Sequence, residues 1–157
     1  MARISSAMSV ALVCVAVGFG AALLAGASLP HSTGPQELAV GGFIIEHEVV
    51  VSATPEEAFD AMTGDVSGWW DHHLSEKPVA LTIDPRPGGG FSEIFDAEGD
   101  GALHATVNVA QRGKLLRFTG PLGLTGWPVE LVNTLEFSPA EDGKTRVKLT
   151  CRAAGAM

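Results

Sequence analysis

Beyond Trp70 the helical period vanishes from this sequence. Short runs of alternating apolar and polar residues recur instead at Val79 to Asp84, Gly90 to Asp96, Ala102 to Ala110, Lys114 to Thr119, Val129 to Ser138 and Thr145 to Arg152. Between them stand Pro87-Gly88-Gly89, Glu98-Gly99-Asp100-Gly101, Arg112-Gly113, the Gly120 to Pro128 loop and Glu141-Asp142-Gly143, each rich in turn-forming residues. Parallel pairing would need a crossover between strands, so these short connections predict six consecutive antiparallel strands.

Upstream, Phe43 to Val51 alternates as well, with Phe43, Ile45, His47, Val49 and Val51 on one face and Glu46 and Glu48 on the other. That pattern predicts a half-buried first strand. Thr54-Pro55-Glu56-Glu57 is a capping box with Pro at the first helical position, so a helix starts there. It presents Ala58, Phe59 and Met62 to the core and stops at Gly64, while Asp65 reads as the cap of a second short helix carrying Val66, Trp69 and Trp70. One strand, two short helices and six strands give an α+β fold on a seven-stranded antiparallel sheet.

The 157 residues suit a single domain, and 46% hydrophobic with 18% charged residues is an ordinary globular composition. Eighteen acids against ten bases leave a formal charge of −8, which repels phosphate backbones and argues against nucleic acid as a partner.

The amino terminus carries Arg3, an apolar run from Val10 to Ala25 and then Ala25-Gly26-Ala27. Residues 1–27 therefore read as a signal peptide cleaved after Ala27, which makes the mature protein exported, periplasmic or secreted. The alternative is an uncleaved membrane anchor, although the run falls just short of the ~17 to 25 residues that span a bilayer. Membrane attachment is expected only through this segment. Residues 28–42, with Pro30, Gly34, Pro35, Gly41 and Gly42, read as a linker, and residues 43–157 as the domain.

Strand alternation sends Phe91, Glu93 and Phe95 to one side, likewise Leu131, Asn133, Leu135 and Phe137, with His47 on the apolar face of the first strand. An apolar ligand site carries a few polar groups that fix orientation. His47, Trp69, Trp70, Phe91, Glu93, Phe95, Phe118, Leu131, Asn133 and Leu135 are accordingly the cavity candidates. The plainer alternative is that His47 and Asn133 satisfy local partners and that the Trp pair is core.

No cofactor or metal is expected. His72 and His73 are adjacent and cannot easily converge on one ion, and Asp96 to Gly101 imitates a calcium loop whose twelfth position is Val107. The glycines at 88–90 lead into a strand, lacking the helix N-terminus that holds phosphate. Cys151 alternates inward with Val147 and Leu149, as an inert buried thiol would.

The run Val50 to Phe59, the Trp69-Trp70 pair, Pro87-Gly88-Gly89-Gly90-Phe91, Leu116 to Pro121 and Gly143-Lys144-Thr145-Arg146-Val147 resemble the SRPBCC (START-like, helix-grip) superfamily. Within it the sequence is similar to the activator-of-heat-shock-ATPase-homologue branch, related to polyketide cyclase-like proteins, over about residues 43 to 152. The resemblance implies a curved sheet wrapped around a long C-terminal helix, enclosing an apolar cavity for a lipid-like or polycyclic ligand. Only Ala153 to Met157 follow Arg152, so that helix is expected to be absent and the domain to be incomplete at its carboxyl end.

The leading functional expectation is non-catalytic binding of a hydrophobic small molecule or lipid. A co-chaperone-like, protein-binding module is the alternative. A cyclase- or hydrolase-type enzyme, with His47 and Glu93 as its acid/base pair, comes third.

Overall fold

The computed structural model describes residues 38–156. The signal or anchor expected over 1–27 lies outside the described residues, as does most of the expected linker. In sequence order the elements are β1 (Gly41–Val51), α1 (Pro55–Ala61), β2 (Gly64–Asp65), β3 (Ala80–Ile83), β4 (Gly90–Ile94), β5 (Gly101–Gln111), β6 (Leu115–Gly120), β7 (Val129–Pro139) and β8 (Thr145–Gly155). Two single 3-10 turns, Leu122–Leu124 and Glu141–Gly143, punctuate the last hairpins.

All the strands join one antiparallel sheet of order β1-β8-β7-β6-β5-β4-β3-β2. The six expected strands run as a meander from β3 to β8, and β1 closes against β8 in an uninterrupted register from Gly41↔Gly155 to Val51↔Thr145. Every hairpin turn predicted from Gly and Asp chemistry is present. At the β4–β5 turn, for example, the Asp96 carboxylate accepts the amides of Glu98, Gly99 and Asp100. That side chain is thereby committed to the turn.

The helix begins where the capping box placed it: the Glu57 amide donates to the Thr54 hydroxyl at 3.3 Å and the Thr54 amide to the Glu57 carboxylate at 2.9 Å. Ala58 and Phe59 are its buried face, and the Phe59 ring sits 5.5 Å from that of Phe137 on β7.

Two expectations are corrected. The expected second helix is a single turn, in which the Trp69 and Trp70 amides donate to the Val66 carbonyl. The Asp65 carboxylate does accept from Ser67, as a cap would. However, Gly64, at φ +71, turns the backbone so that Gly64–Asp65 pairs with β3 and becomes an eighth strand. The first strand, expected to be half-buried, is exposed along nearly its whole length, Ile45 by 52%. It lies at the sheet edge, and among the described residues no helix follows β8 to cover its apolar face.

The core lies on the concave face in two groups. The larger gathers Phe59, Val66, Leu81, Phe91, Leu116 and Phe137 beneath α1 and the segment that follows β2. The smaller holds Val129, Leu131, Cys151 and Ala153, with Leu122 against it. Thr54→Ala removes the reciprocal cap, and we expect a loss of about 1 kcal/mol in the urea-unfolding free energy with an unchanged m-value.

Candidate functional site

Within the larger core group a cavity of about 90 Å³ opens, lined by Met62, Trp69, Trp70, Ile83, Phe118, Asn133, Leu135 and Leu149. Asn133 is the polar side chain among them. Strand alternation delivers it: Asn133 stands across from Phe118 on β6 and Cys151 on β8, all facing inward. The residue is only 5% exposed, and its Nδ2 amide has no hydrogen-bond partner. A buried donor left unpaired costs on the order of 1–3 kcal/mol, so the fold carries this group at a loss unless something else accepts from it.

The Trp wall is set by aromatic packing. Trp70 meets Phe91 edge-on at 4.9 Å and Trp69 edge-on at 5.7 Å, and its indole N–H donates to the His72 carbonyl at 2.5 Å. Phe91 in turn contacts Phe118 at 6.1 Å.

Of the ten expected cavity residues, Trp69, Trp70, Phe118, Asn133 and Leu135 come together around this space. The others do not. Phe91 is fully buried behind Trp70, and Leu131 belongs to the smaller core group. Phe95 falls just past the end of β4, partly exposed, where its amide closes the turn onto Asp100. His47 sits exposed on the edge strand, since nothing among the described residues covers that face. Glu93 is wholly buried in β4, with four strands between it and β1, so the two cannot act as one acid/base pair.

The Glu93 carboxylate has a different role. One oxygen accepts the Ser75 amide and hydroxyl, each at 2.8 Å, and the other accepts the Leu74 amide at 2.8 Å and His104 Nε2 at 2.8 Å. A carboxylate can only accept here, so Nε2 of His104 carries the proton. Burial by itself would raise the Glu93 pKa, but the Leu74 and Ser75 amides, the Ser75 hydroxyl and His104 outweigh it and bring the group down to about 2.

His104, 2% exposed, escapes a reading of the sequence because simple alternation puts it outward with Thr106. Between β4 and β5 the register slips: Phe91 pairs with Ala105 but Ser92 with Leu103, leaving His104 as the extra residue of a β-bulge. The bulge turns His104 inward beside Ala105. The signal that could have found it is Glu93 itself, a lone carboxylate in the buried phase of its strand, which requires a donor nearby. Cys151 is buried, and burial pushes its thiol pKa up, away from nucleophilic reactivity.

With this geometry in hand, comparison with known proteins is informative. The family model described as Activator of Hsp90 ATPase homolog 1-like protein matches residues 52–156. The chain belongs to this family. Its SRPBCC-type, helix-grip α+β architecture follows, one antiparallel sheet with one α-helix among the described residues. Solved structures of similar fold include a Rhizobium leguminosarum protein (TM-score 0.56, 17% identity, covering 76% of this chain and 82% of that one). A Staphylococcus aureus protein, SA2116, is similar at TM-score 0.56 and 17% identity over 73% of this chain and 71% of that one. The Rhizobium loti protein Mll3558 gives 0.51 and 18% over 74% and 82%. At such identities the likeness establishes the fold. No curated protein matches this sequence.

Glu93 is depressed in the folded state, so its contribution is complete above its ordinary value of 4.5 and is lost as pH falls through about 2. We expect wild type to lose on the order of 3 kcal/mol across that window from this group. In Glu93→Gln this part of the pH dependence should disappear, as measured by urea unfolding at pH 5, 4, 3 and 2.

Proposed function

We propose that this protein is a non-catalytic binder of a small, largely apolar molecule that presents a hydrogen-bond acceptor, such as a carbonyl oxygen, to Asn133. The carrying observation is the buried and unpartnered Nδ2 of Asn133 on the wall of an otherwise apolar cavity. Such a combination of apolar lining and a sparse polar group fits orientation of a ligand rather than turnover. The volume of about 90 Å³ suits a single small ring or the head of a longer molecule that extends out of it. Leu149, which lines it, stands opposite His47 in the β1–β8 register, so a tail would run on to the exposed apolar face of β1.

Export is part of the same reading. It rests on Arg3, the apolar run Val10 to Ala25 and the small residues Ala25-Gly26-Ala27. Amino-terminal sequencing of the protein recovered from its native source should begin at Ser28, and a first residue of Met1 or Ala2 would overturn export by cleavage.

The family's name points to a second reading, a protein-binding module, and the exposed Phe43, Ile45 and Val49 on one face of β1 favour it. The two readings separate at Asn133, which a protein partner on β1 would not reach.

Two molecules of similar shape test the binding reading. Acetophenone carries a carbonyl that ethylbenzene lacks, and we expect it to bind about tenfold more tightly, equivalent to one buried hydrogen bond. The Asn133 side-chain amide signals should shift on titration by NMR. Asn133→Leu should erase the preference while stabilising the ligand-free protein by about 1 kcal/mol, because the unpaired donor is gone. Equal affinities for the two molecules, or an unchanged preference in the variant, would refute it.

A further inference from the structure

The segment from Asp71 to Pro78 contains no regular secondary structure, yet it follows directly on the two Trp residues that wall the cavity. Before it, the backbone is tied to the sheet by the Val66 amide on the Leu81 carbonyl, and after it by the Val79 amide on the Ile94 carbonyl. Between those ties the bonds to the sheet are those that Leu74 and Ser75 donate to Glu93. The other polar contacts of the stretch, Trp70 to His72 and His73 to Ser75, stay within it.

We propose that Glu93 and His104 form an internal latch that positions the Trp69–Trp70 wall of the cavity, acting from beneath the segment without touching the ligand. The inference rests on the cavity being a binding site. The geometry supplies two routes from the latch to the wall. One runs through the backbone, from Ser75 and Leu74 back to Trp70. The other runs through packing, since the His104 ring lies 5.3 Å from Phe91, and Phe91 is the ring on which Trp70 rests edge-on. The second begins at the bulge that turns His104 inward, and the two meet at Glu93, which accepts from His104 and from the segment. Hydrogen bonds to an ionised, fully desolvated acceptor are the stronger kind, and a segment with few other anchors opens locally when they are lost. Glu93 and His104 are thus positioning residues.

Hydrogen exchange and fluorescence on the full-length protein test this, in a Trp127→Phe background so that the remaining two of the three Trp report on the wall. In the Glu93→Ala variant, exchange at the Leu74 and Ser75 amides should rise at least about tenfold relative to the Leu135 amide in the core, and Trp emission should shift to the red. Acetophenone affinity should fall about tenfold, and Glu93→Gln, which keeps an acceptor oxygen, should recover part of it. Ser75→Ala removes a latch donor from the segment side without emptying the core, and should move each readout in the same direction by less. Should Glu93→Ala fail to fold, Ser75→Ala decides the matter alone. If Leu74 exchange keeps pace with Leu135 in the variant, the latch is refuted, whatever the ligand result. A loosened segment with unmoved Trp emission and unmoved affinity refutes the positioning role and leaves the binding reading intact. Failure of wild type to bind acetophenone removes the binding reading, and the amide and emission results still decide the latch.

Discussion

A carboxylate buried in a β-sheet must be surrounded by donors or it will take up a proton, and Glu93 meets that demand by drawing three parts of the protein together. It supplies the position on β4, the bulge supplies His104 from β5, and the segment after Trp70 supplies two amides and a hydroxyl. Packing depends on this arrangement as much as hydrogen bonding does. Phe91 stands two residues from Glu93 on the same face, between His104 and Trp70, so the ring ladder that backs the cavity rests on the same bulge. Without the bulge His104 would face outward, the carboxylate would lose a buried donor, and Trp70 would lose the floor beneath its edge.

The far end of the sheet obeys a different constraint. There β1 is held by its full-length ladder with β8 and by ion pairs on the outer face, Lys148 with Glu46 at 2.9 Å and Arg146 with Glu48 at 2.8 Å. Pairs exposed to this degree are screened by water and contribute little, so the backbone ladder is what keeps the strand in place. The apolar face of β1 therefore stays in register while remaining exposed. Leu149 on the cavity wall lies across from His47 of that exposed strand.

Local chemistry made much of this readable from the residues alone. The capping box at Thr54 and Glu57, the Gly- and Asp-based turns and the alternation of the six hairpin strands each act over a few residues, and the structure reproduces them. Failures came where tertiary context decides. Asp65 caps a turn as expected, but Gly64 at φ +71 diverts the backbone to an edge pairing that no helical period could reveal. His47 has the correct phase and the wrong burial, because alternation gives the face of a strand and not what covers it. His104 is the reverse case, buried against its phase, since a one-residue bulge reverses alternation on one side of it. Phe118, Asn133 and Leu135 were legible from their inward strand phase and Trp69 and Trp70 as an aromatic pair after the helix; which of the candidates line a space and which fill it depends on packing across strands.

Glu93 and Asn133 show how such residues are to be told apart. Both are polar, both lie in the buried phase of a central strand, and sequence alone places them in the same class. In the folded protein both carboxylate oxygens of Glu93 are occupied by protein donors, whereas Nδ2 of Asn133 meets no acceptor. A satisfied buried group gives its energy to the fold, and here it fixes a segment and a wall. An unsatisfied one takes energy from the fold, and it faces an apolar space with room for a partner. The difference between the two is a matter of counted hydrogen bonds, and it is what supports the proposed division of roles, support for one residue and recognition for the other.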